Sequence, residues 1–221
     1  ARIRTDQMAH DSALRLLMAT VARTAAQHDR CIIPLLSSWD SHHIRISVKV
    51  HRSIQTANLL EESIGWRVAS PTQEELQAAS EAGLHPQGDA PEQPFCLLPF
   101  SYPIRRDDKR VSGPLWTGPL FDSEVLASMT VEKAIELCGE DAEPAVRHWV
   151  DEAELAEIQS LIMTDMLPKY CDVGGPPRIA KLVAGLQEAG FKAAIARWGD
   201  PAIRTDAPWP IVLKTAESCF D

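Results

Sequence analysis

Several things are missing from this sequence. No run of apolar residues approaches the ~20 that a membrane-spanning helix needs. No basic region followed by an apolar stretch opens the chain, so the N-terminus does not read as a signal peptide. There is no Cys-x-x-Cys pair, and nothing else has the spacing of a zinc site. The five cysteines (Cys31, Cys96, Cys138, Cys171, Cys219) are odd in number and scattered, which argues for reduced thiols and a cytoplasmic setting over a disulfide framework. No internal repeat or low-complexity tract occurs, and no Ser-His-Asp or Cys-His pattern stands in a recognisable context.

What is present is enough apolar residue, 45% of 221, for one large core or two small ones. The net charge is −9. Residues 122–165 hold twelve acids against Lys133 and Arg147, a local charge of −10, so the rest of the chain sums to +1. The acidity therefore belongs to one segment, read as helical with a solvated face, and the remainder is free to present cations to phosphate.

Apolar residues at helical spacing (Leu14, Leu17, Met18, Val21, Ala22, Ala25) predict an amphipathic helix over 11–29, with Asp11 or Ser12 as its cap. CIIPLLSSW and HIRISVKV then read as an antiparallel hairpin joined by Asp40-Ser41-His42, with Pro34 marking an edge or a bulge. In the second strand Ile44, Ile46, Val48 and Val50 are expected to face inward, and Arg45, Ser47 and Lys49 outward. His42 and His43 are strand neighbours that point to opposite faces, so they do not suit one shared metal ion. A helix over 53–63 and a strand over 65–69 follow, then a polar Pro/Gly-rich stretch that suits a boundary or an insertion.

The most informative run is RVSGPLWTGPLFD, residues 110–122. Two Gly-Pro pairs flank a Leu-Trp, which predicts a rigid, kinked, hairpin-like element presenting Trp116 on one side. Just before it stand Arg105, Arg106, Lys109 and Arg110, interrupted by Asp107 and Asp108. They read as phosphate contacts, with Trp116 as a stacking surface for a base or sugar, or equally as a plain solvated turn. Beyond, Asp122 is expected to cap a helix to Cys138, and a second helix to span 144–166. The last module is a helix led by Pro176-Pro177 and stopped at Gly190, the strand FKAAIARW, the turn Gly199-Asp200-Pro201 and a return strand. Arg178 and Lys181 share a helix face there, and Arg197 and Arg204 would flank the turn; the arrangement suits backbone contact on RNA, although basic residues on a helix and hairpin are usually just solvated.

Three stretches, residues 13–50, 110–122 and 170–209, together resemble the tRNA guanine-26 N2-dimethyltransferase family. The resemblance implies a fold class: α/β, the C-terminal end of a class I methyltransferase-like sheet, followed by an α+β domain with a winged-helix-like terminus. It implies a first domain over 1–69 and a tRNA-recognition domain over 70–221. It also implies S-adenosylmethionine as cofactor and tRNA as partner. Members of the family often carry paired cysteines before the Gly-Pro-Leu-Trp run, where this chain has FCLLPFSYPIRRDDKR, read as a metal-free hairpin. His43 matches a position the family tends to keep, and is read as a structural hydrogen-bonding residue. His10 and Arg15 fall where the donor pocket would adjoin. The exocyclic N2 of guanine is a poor nucleophile, so its methylation wants a proton acceptor beside a positioned methyl donor. The Gly-rich turn and acidic ribose ligand that hold such a donor are not in this sequence. The chain is therefore expected to be a C-terminal fragment, inactive alone, whose partner is the missing N-terminal catalytic half. The alternatives are a non-enzymatic winged-helix-like nucleic-acid-binding module, or an assembly domain whose acidic helices bind a protein.

Overall fold

A computed structural model describes residues 3–40, 43–84, 93–158, 161–197 and 201–220. The chain divides into two compact units, Ala1–Leu120 and Phe121–Asp221.

The first unit opens with helix α1 (Ala9–Ala26), which buries Leu14, Met18, Ala19 and Ala22 along one face. Its start differs from the expected cap. Met8 is the N-cap residue, and Asp11 and Ser12 lie buried inside the first turns. The Asp11 carboxylate instead accepts from Arg15 Nε at 2.9 Å, one turn on, where the buried guanidinium needs an anion. Strands β1 (Arg30–Asp40) and β2 (His43–Arg52) form the expected antiparallel hairpin, with a register shift between Pro34 and Leu36 where Pro lacks a ladder donor. Of its connector, Ser41 and His42 lie outside the described residues. The β2 alternation is present but shallow. Ile44, Ile46 and Val48 are half-buried, and Val50 is 50% exposed rather than inward. One helix laid on a two-stranded hairpin cannot cover the whole of its face.

Helix α2 (Ile54–Asn58) is shorter than the predicted 53–63 element. Ser53 Oγ caps it by accepting from Thr56 N, and a 3₁₀ turn, Leu60–Glu62, completes the segment. Strand β3 (Ile64–Ala69) is the middle of a three-stranded antiparallel sheet. Helix α3 (Gln73–Glu81) begins with a reciprocal Thr72–Glu75 capping box and packs on β4 (Phe95–Pro99). Strand β5 (Val111–Trp116) lies on the other side of β3. Val68, Leu76, Ala79, Cys96, Leu98 and Val111 form the core between sheet and helix.

This sheet corrects two expectations. The segment 95–110 is not a hairpin, because β4 and β5 pair with opposite edges of β3. The Gly-Pro-Leu-Trp run is likewise not a hairpin but part of one strand. Strand β3 is laddered to both β4 and β5, and all three lie in the first compact unit. Residues 85–92, within the polar stretch taken for a boundary, lie outside the described residues.

In the second unit, Asp122 caps helix α4 (Ser123–Ser128) by accepting from Val125 N at 2.9 Å, but the helix ends well before Cys138. Thr130 Oγ1 accepts from Lys133 N and starts a new helix, α5 (Val131–Cys138). A threonine that satisfies an N-terminal amide favours a break over continuation. Helix α6 (Glu143–Glu152) is also shorter than the predicted 144–166 element. The chain beyond it is drawn into a 3₁₀ turn (Ala153–Leu155), the short strand β6 (Ile162–Met163) and a second 3₁₀ stretch (Thr164–Lys169). Helix α7 (Ile179–Glu188), strands β7 (Ala193–Arg197) and β8 (Pro201–Thr205), and helix α8 (Trp209–Ser218) follow. Gly190, at φ +89°, takes the chain out of α7 as expected. The antiparallel sheet has the order β6-β8-β7. Gly199 and Asp200 of the predicted turn lie outside the described residues.

Candidate nucleic-acid interface

The basic cluster before β5 is not one site. Arg110 turns inward as a clamp. Its guanidinium donates to Glu75 Oε1 and Oε2 at 2.9 and 3.0 Å, to Asp108 Oδ2 at 2.7 Å and to the Ser70 carbonyl at 3.2 Å. The hydrogen bonds to Glu75, then those to Asp108, push its pKa above the usual arginine value. With four hydrogen bonds on its two terminal nitrogens, Arg110 ties α3 to β5. Arg105, Arg106 and Lys109 remain exposed. Arg105 pairs with Asp107 at 3.0 Å, but both side chains are largely in water (82% and 73% exposed). Such pairs contribute roughly 0–1 kcal/mol and are easily exchanged.

Arg105 and Arg106 stand over an open cleft of about 410 Å³. Its apolar lining is Trp66, Ile104, Val111 and Pro114, with the backbone of Gly113 between them. Local backbone chemistry makes this hollow. Between the paired positions Gly65↔Leu115 and Arg67↔Ser112, β3 contributes one residue, Trp66, whereas β5 contributes Gly113 and Pro114. The extra residue is a β-bulge, and Gly113 carries it at φ +134°, in the region that side chains rarely adopt. A Cβ at Gly113 would meet the Gly65 carbonyl oxygen at 2.8 Å and the Trp66 ring at 3.1 Å. The Gly113-Pro114 peptide is cis. Trp66 stacks on Phe100 (centroids 5.7 Å apart) and donates from Nε1 to the Phe100 carbonyl at 3.3 Å, which fixes the indole at the cleft.

Trp116 is placed otherwise than expected. It is 7% exposed, and its Nε1 donates to the Pro119 carbonyl at 2.8 Å. An indole packed inside the unit offers no face to a base. Its carbonyl, and that of Gly118, accept from the buried Arg15 guanidinium at 3.2 and 3.1 Å. Arg15 therefore fastens α1 to the Gly-Pro run and is not a pocket wall. His10 stacks on Trp39 (centroids 3.9 Å apart), and His43 is exposed.

In the second unit Arg178 is exposed at the N-cap of α7, and Lys181 is exposed with Nζ donating to the Cys219 carbonyl at 3.2 Å. Arg204 is not a surface contact. It is buried on β8, donating to Glu152 Oε1 at 3.2 Å and to the Ile158 carbonyl at 2.8 Å, with its guanidinium 5.3 Å from the Phe121 ring. β8 is the middle strand of its sheet and is buried at every position from Ala202 to Thr205, so both of its faces are covered and residue 204 is enclosed whichever face it takes. Arg197 closes β7, and its side chain lies outside the described residues.

Sequence reasoning missed Trp66. Its neighbours in IGWRVA carry no motif, and only the pairing of β3 with β5 brings it beside residues 104–106.

Residues 1–217 match the family of N2,N2-dimethylguanosine tRNA methyltransferases. The chain belongs to that family. It is 29% identical over 209 residues to a tRNA (guanine(26)-N(2))-dimethyltransferase of Aeropyrum pernix, across 92% of this chain and 47% of the relative. The corresponding protein of Methanoregula boonei is 28% identical, across 90% and 49%. The fold is shared with Trm1 from Pyrococcus horikoshii, solved in complex with S-adenosyl-L-methionine: the TM-score is 0.70 at 21% identity, over 94% of this chain and 49% of that one. The chain thus spans about half the length of the relatives it matches.

An adenosylmethionine site wants a carboxylate for the ribose hydroxyls and backbone amides at a glycine turn. Among the described residues, the 410 Å³ cleft is lined by no carboxylate and has Arg105 and Arg106 in its lining, a poor setting for a cationic donor. A second open cleft of about 440 Å³, along the last turns of α1, is lined by Thr20, Val21, Thr24, Ala25, His28, Arg30 and Val50, again without a carboxylate among the described residues. Neither cleft fits the donor.

Proposed function

We propose that this chain is the tRNA-holding part of an S-adenosylmethionine-dependent methyltransferase that modifies N2 of guanine at position 26 of tRNA. One observation carries the reading: in a chain of this family, Arg105 and Arg106 are held exposed over an open cleft while their neighbour Arg110 is locked inward. The relatives are tRNA (guanine(26)-N(2))-dimethyltransferases, which supplies the reaction, and the ligand of the solved neighbour supplies the donor. In this reading the donor pocket and the proton acceptor for N2 belong to the part of the relatives' length that this chain does not span. The α1/β1–β2 layer then serves as the edge of the methyltransferase sheet. In the second unit, α7 with β7 and β8 serves as a winged-helix-like platform, with Arg178 and Lys181 facing RNA. Five unpaired cysteines accord with a cytoplasmic location.

The chemistry open to these residues is positioning. Extruding a guanine from its stack costs a few kcal/mol, and contacts to the RNA backbone can offset that cost. Each arginine that neutralises a phosphate releases a counterion, so affinity should fall linearly with salt on logarithmic axes. The test is the affinity of the chain for unmodified tRNA over a salt series. Arg105→Ala/Arg106→Ala should weaken binding and flatten the slope by about two. An unchanged slope retires the assignment. Separately, titration calorimetry with S-adenosylmethionine should show no binding, and micromolar affinity would overturn the placement of the donor pocket.

A further inference from the structure

The cleft beside β5 carries more than a generic phosphate contact. We infer that it takes a single unpaired nucleotide of the RNA, its base laid on the apolar floor of Trp66, Ile104 and Pro114 and its phosphate gripped by Arg105 and Arg106. This rests on the proposed RNA-holding role and names the kind of RNA element held there.

Three features of the cleft support the assignment. The first is shape. A hollow of about 410 Å³ lies at the small end of the roughly 300–1,000 Å³ of small-molecule sites. The second is charge placement. Duplex binding requires cations spread along a surface to follow a charge every ~1.7 Å of axis. Here the two cations of the lining, Arg105 and Arg106, are adjacent in the chain, and Asp107, 73% exposed, follows at once. That pattern suits one phosphate and repels a continuing backbone ridge. The third is the floor. Trp66, Ile104, Val111 and Pro114 present apolar surface that a base paired within a helix cannot reach, whereas a splayed base stacks on it.

The lining also predicts what the site does not do. The Trp66 indole N–H is already spent on the Phe100 carbonyl. Among the described residues, and apart from the two guanidinium groups, the lining offers no side-chain donor or acceptor to a base edge. Recognition should therefore tolerate any base, as stacking does. The nucleotide held here is an anchor for the RNA and not the base that is read.

The experiment is fluorescence anisotropy at low salt, with the full chain and two labelled probes: single-stranded hexauridylate and a twelve-base-pair RNA duplex. Hexauridylate should bind more tightly than the duplex. Arg106→Glu, at an exposed position, should weaken hexauridylate at least tenfold. Trp66→Leu should weaken it roughly tenfold and Trp66→Phe should restore most of the loss. Replacing hexauridylate by hexacytidylate should change affinity by less than threefold. A duplex that binds as well as the single strand overturns the inference, as does hexauridylate binding indifferent to Arg106→Glu. If Trp66→Leu fails to fold, the comparison of the two probes and the Arg106→Glu result still decide. Should Arg105→Ala/Arg106→Ala flatten the tRNA salt slope while the probes are not distinguished, the nucleotide site falls and the tRNA-holding role stands. Should tRNA fail to bind while hexauridylate depends on Arg106 and Trp66, the reverse holds.

Discussion

Replacing Arg204 by Met should destabilise the second unit by about 4 kcal/mol. The guanidinium is 2% exposed and the Glu152 carboxylate 1%, with Nε and Oε1 3.2 Å apart. Methionine is apolar and follows the arginine side chain out to about Nε, so the principal loss is electrostatic, with a small void where the guanidinium ended. The substitution strips Glu152 of a buried counter-charge, which typically costs about 3–5 kcal/mol. It also removes the donor that reaches the Ile158 carbonyl at 2.8 Å, worth about 1–3 kcal/mol if that oxygen stays buried. The two losses share one side chain and do not add in full. Against a domain stability of about 5–15 kcal/mol, such a loss is large. Urea unfolding followed by circular dichroism reads it directly. The discriminating variant is Arg204→Met/Glu152→Met, which removes both charges together and should recover most of the stability. A single-variant loss below about 1 kcal/mol, or a double variant as unstable as the single, refutes the buried-pair account. The folded double variant should also keep the wild-type salt slope for tRNA, since Arg204 then never met a phosphate.

Other expectations follow from the first unit. Gly113→Ala should lower stability by about 1–3 kcal/mol, read as a fall in melting temperature, because φ +134° and the nearby Gly65 carbonyl leave no room for a methyl group. Gly65→Ala should cost more, because its Cβ would overlap the Leu98 carbonyl across the β3–β4 ladder; an intact, wild-type melting curve would contradict that register. Burial, reinforced by the charge of Glu75 and opposed by Arg110, pushes the Cys96 thiol from 9.0 up to about 12. Its folded pKa is raised, so its contribution to stability is complete below pH 9 and declines as the pH rises from there towards 12. In a thiol-labelling time course at pH 8, exposed Cys138 should react first and Cys96 only on unfolding. Trp116→Phe should lose the Pro119 hydrogen bond and about 1 kcal/mol, with no change in the salt slope for tRNA.

Much of the architecture was legible in the residues because it is local. Periodicity placed α1, alternation placed β2, and Gly190 placed the end of α7. The family was legible too, from three stretches in order, since motif and spacing survive without knowledge of contacts. Helix breaks were less visible. Thr130 as a cap and the strand at 162–163 depend on competition between local hydrogen bonds and a distant partner, β8. The sheet built on β3 escaped for the same reason, because it follows from ladders joining β3 to strands that begin 26 and 42 residues after its last residue.

The candidate site shows the division most clearly. The sequence by itself determined that two Gly-Pro pairs, a tryptophan and four cations lie close together. It could not say which of those groups face water. Arg105 and Arg110 are chemically identical, and Trp66 and Trp116 equally so. Only the tertiary structure turned Arg110 and Arg204 inward to buried carboxylates, hid Trp116 beneath the Gly-Pro run, and brought Trp66 to the cleft. The physical reason is that exposure is a property of packing: it is set by which strand pairs with which, and by the need of each buried charge to find its counterpart.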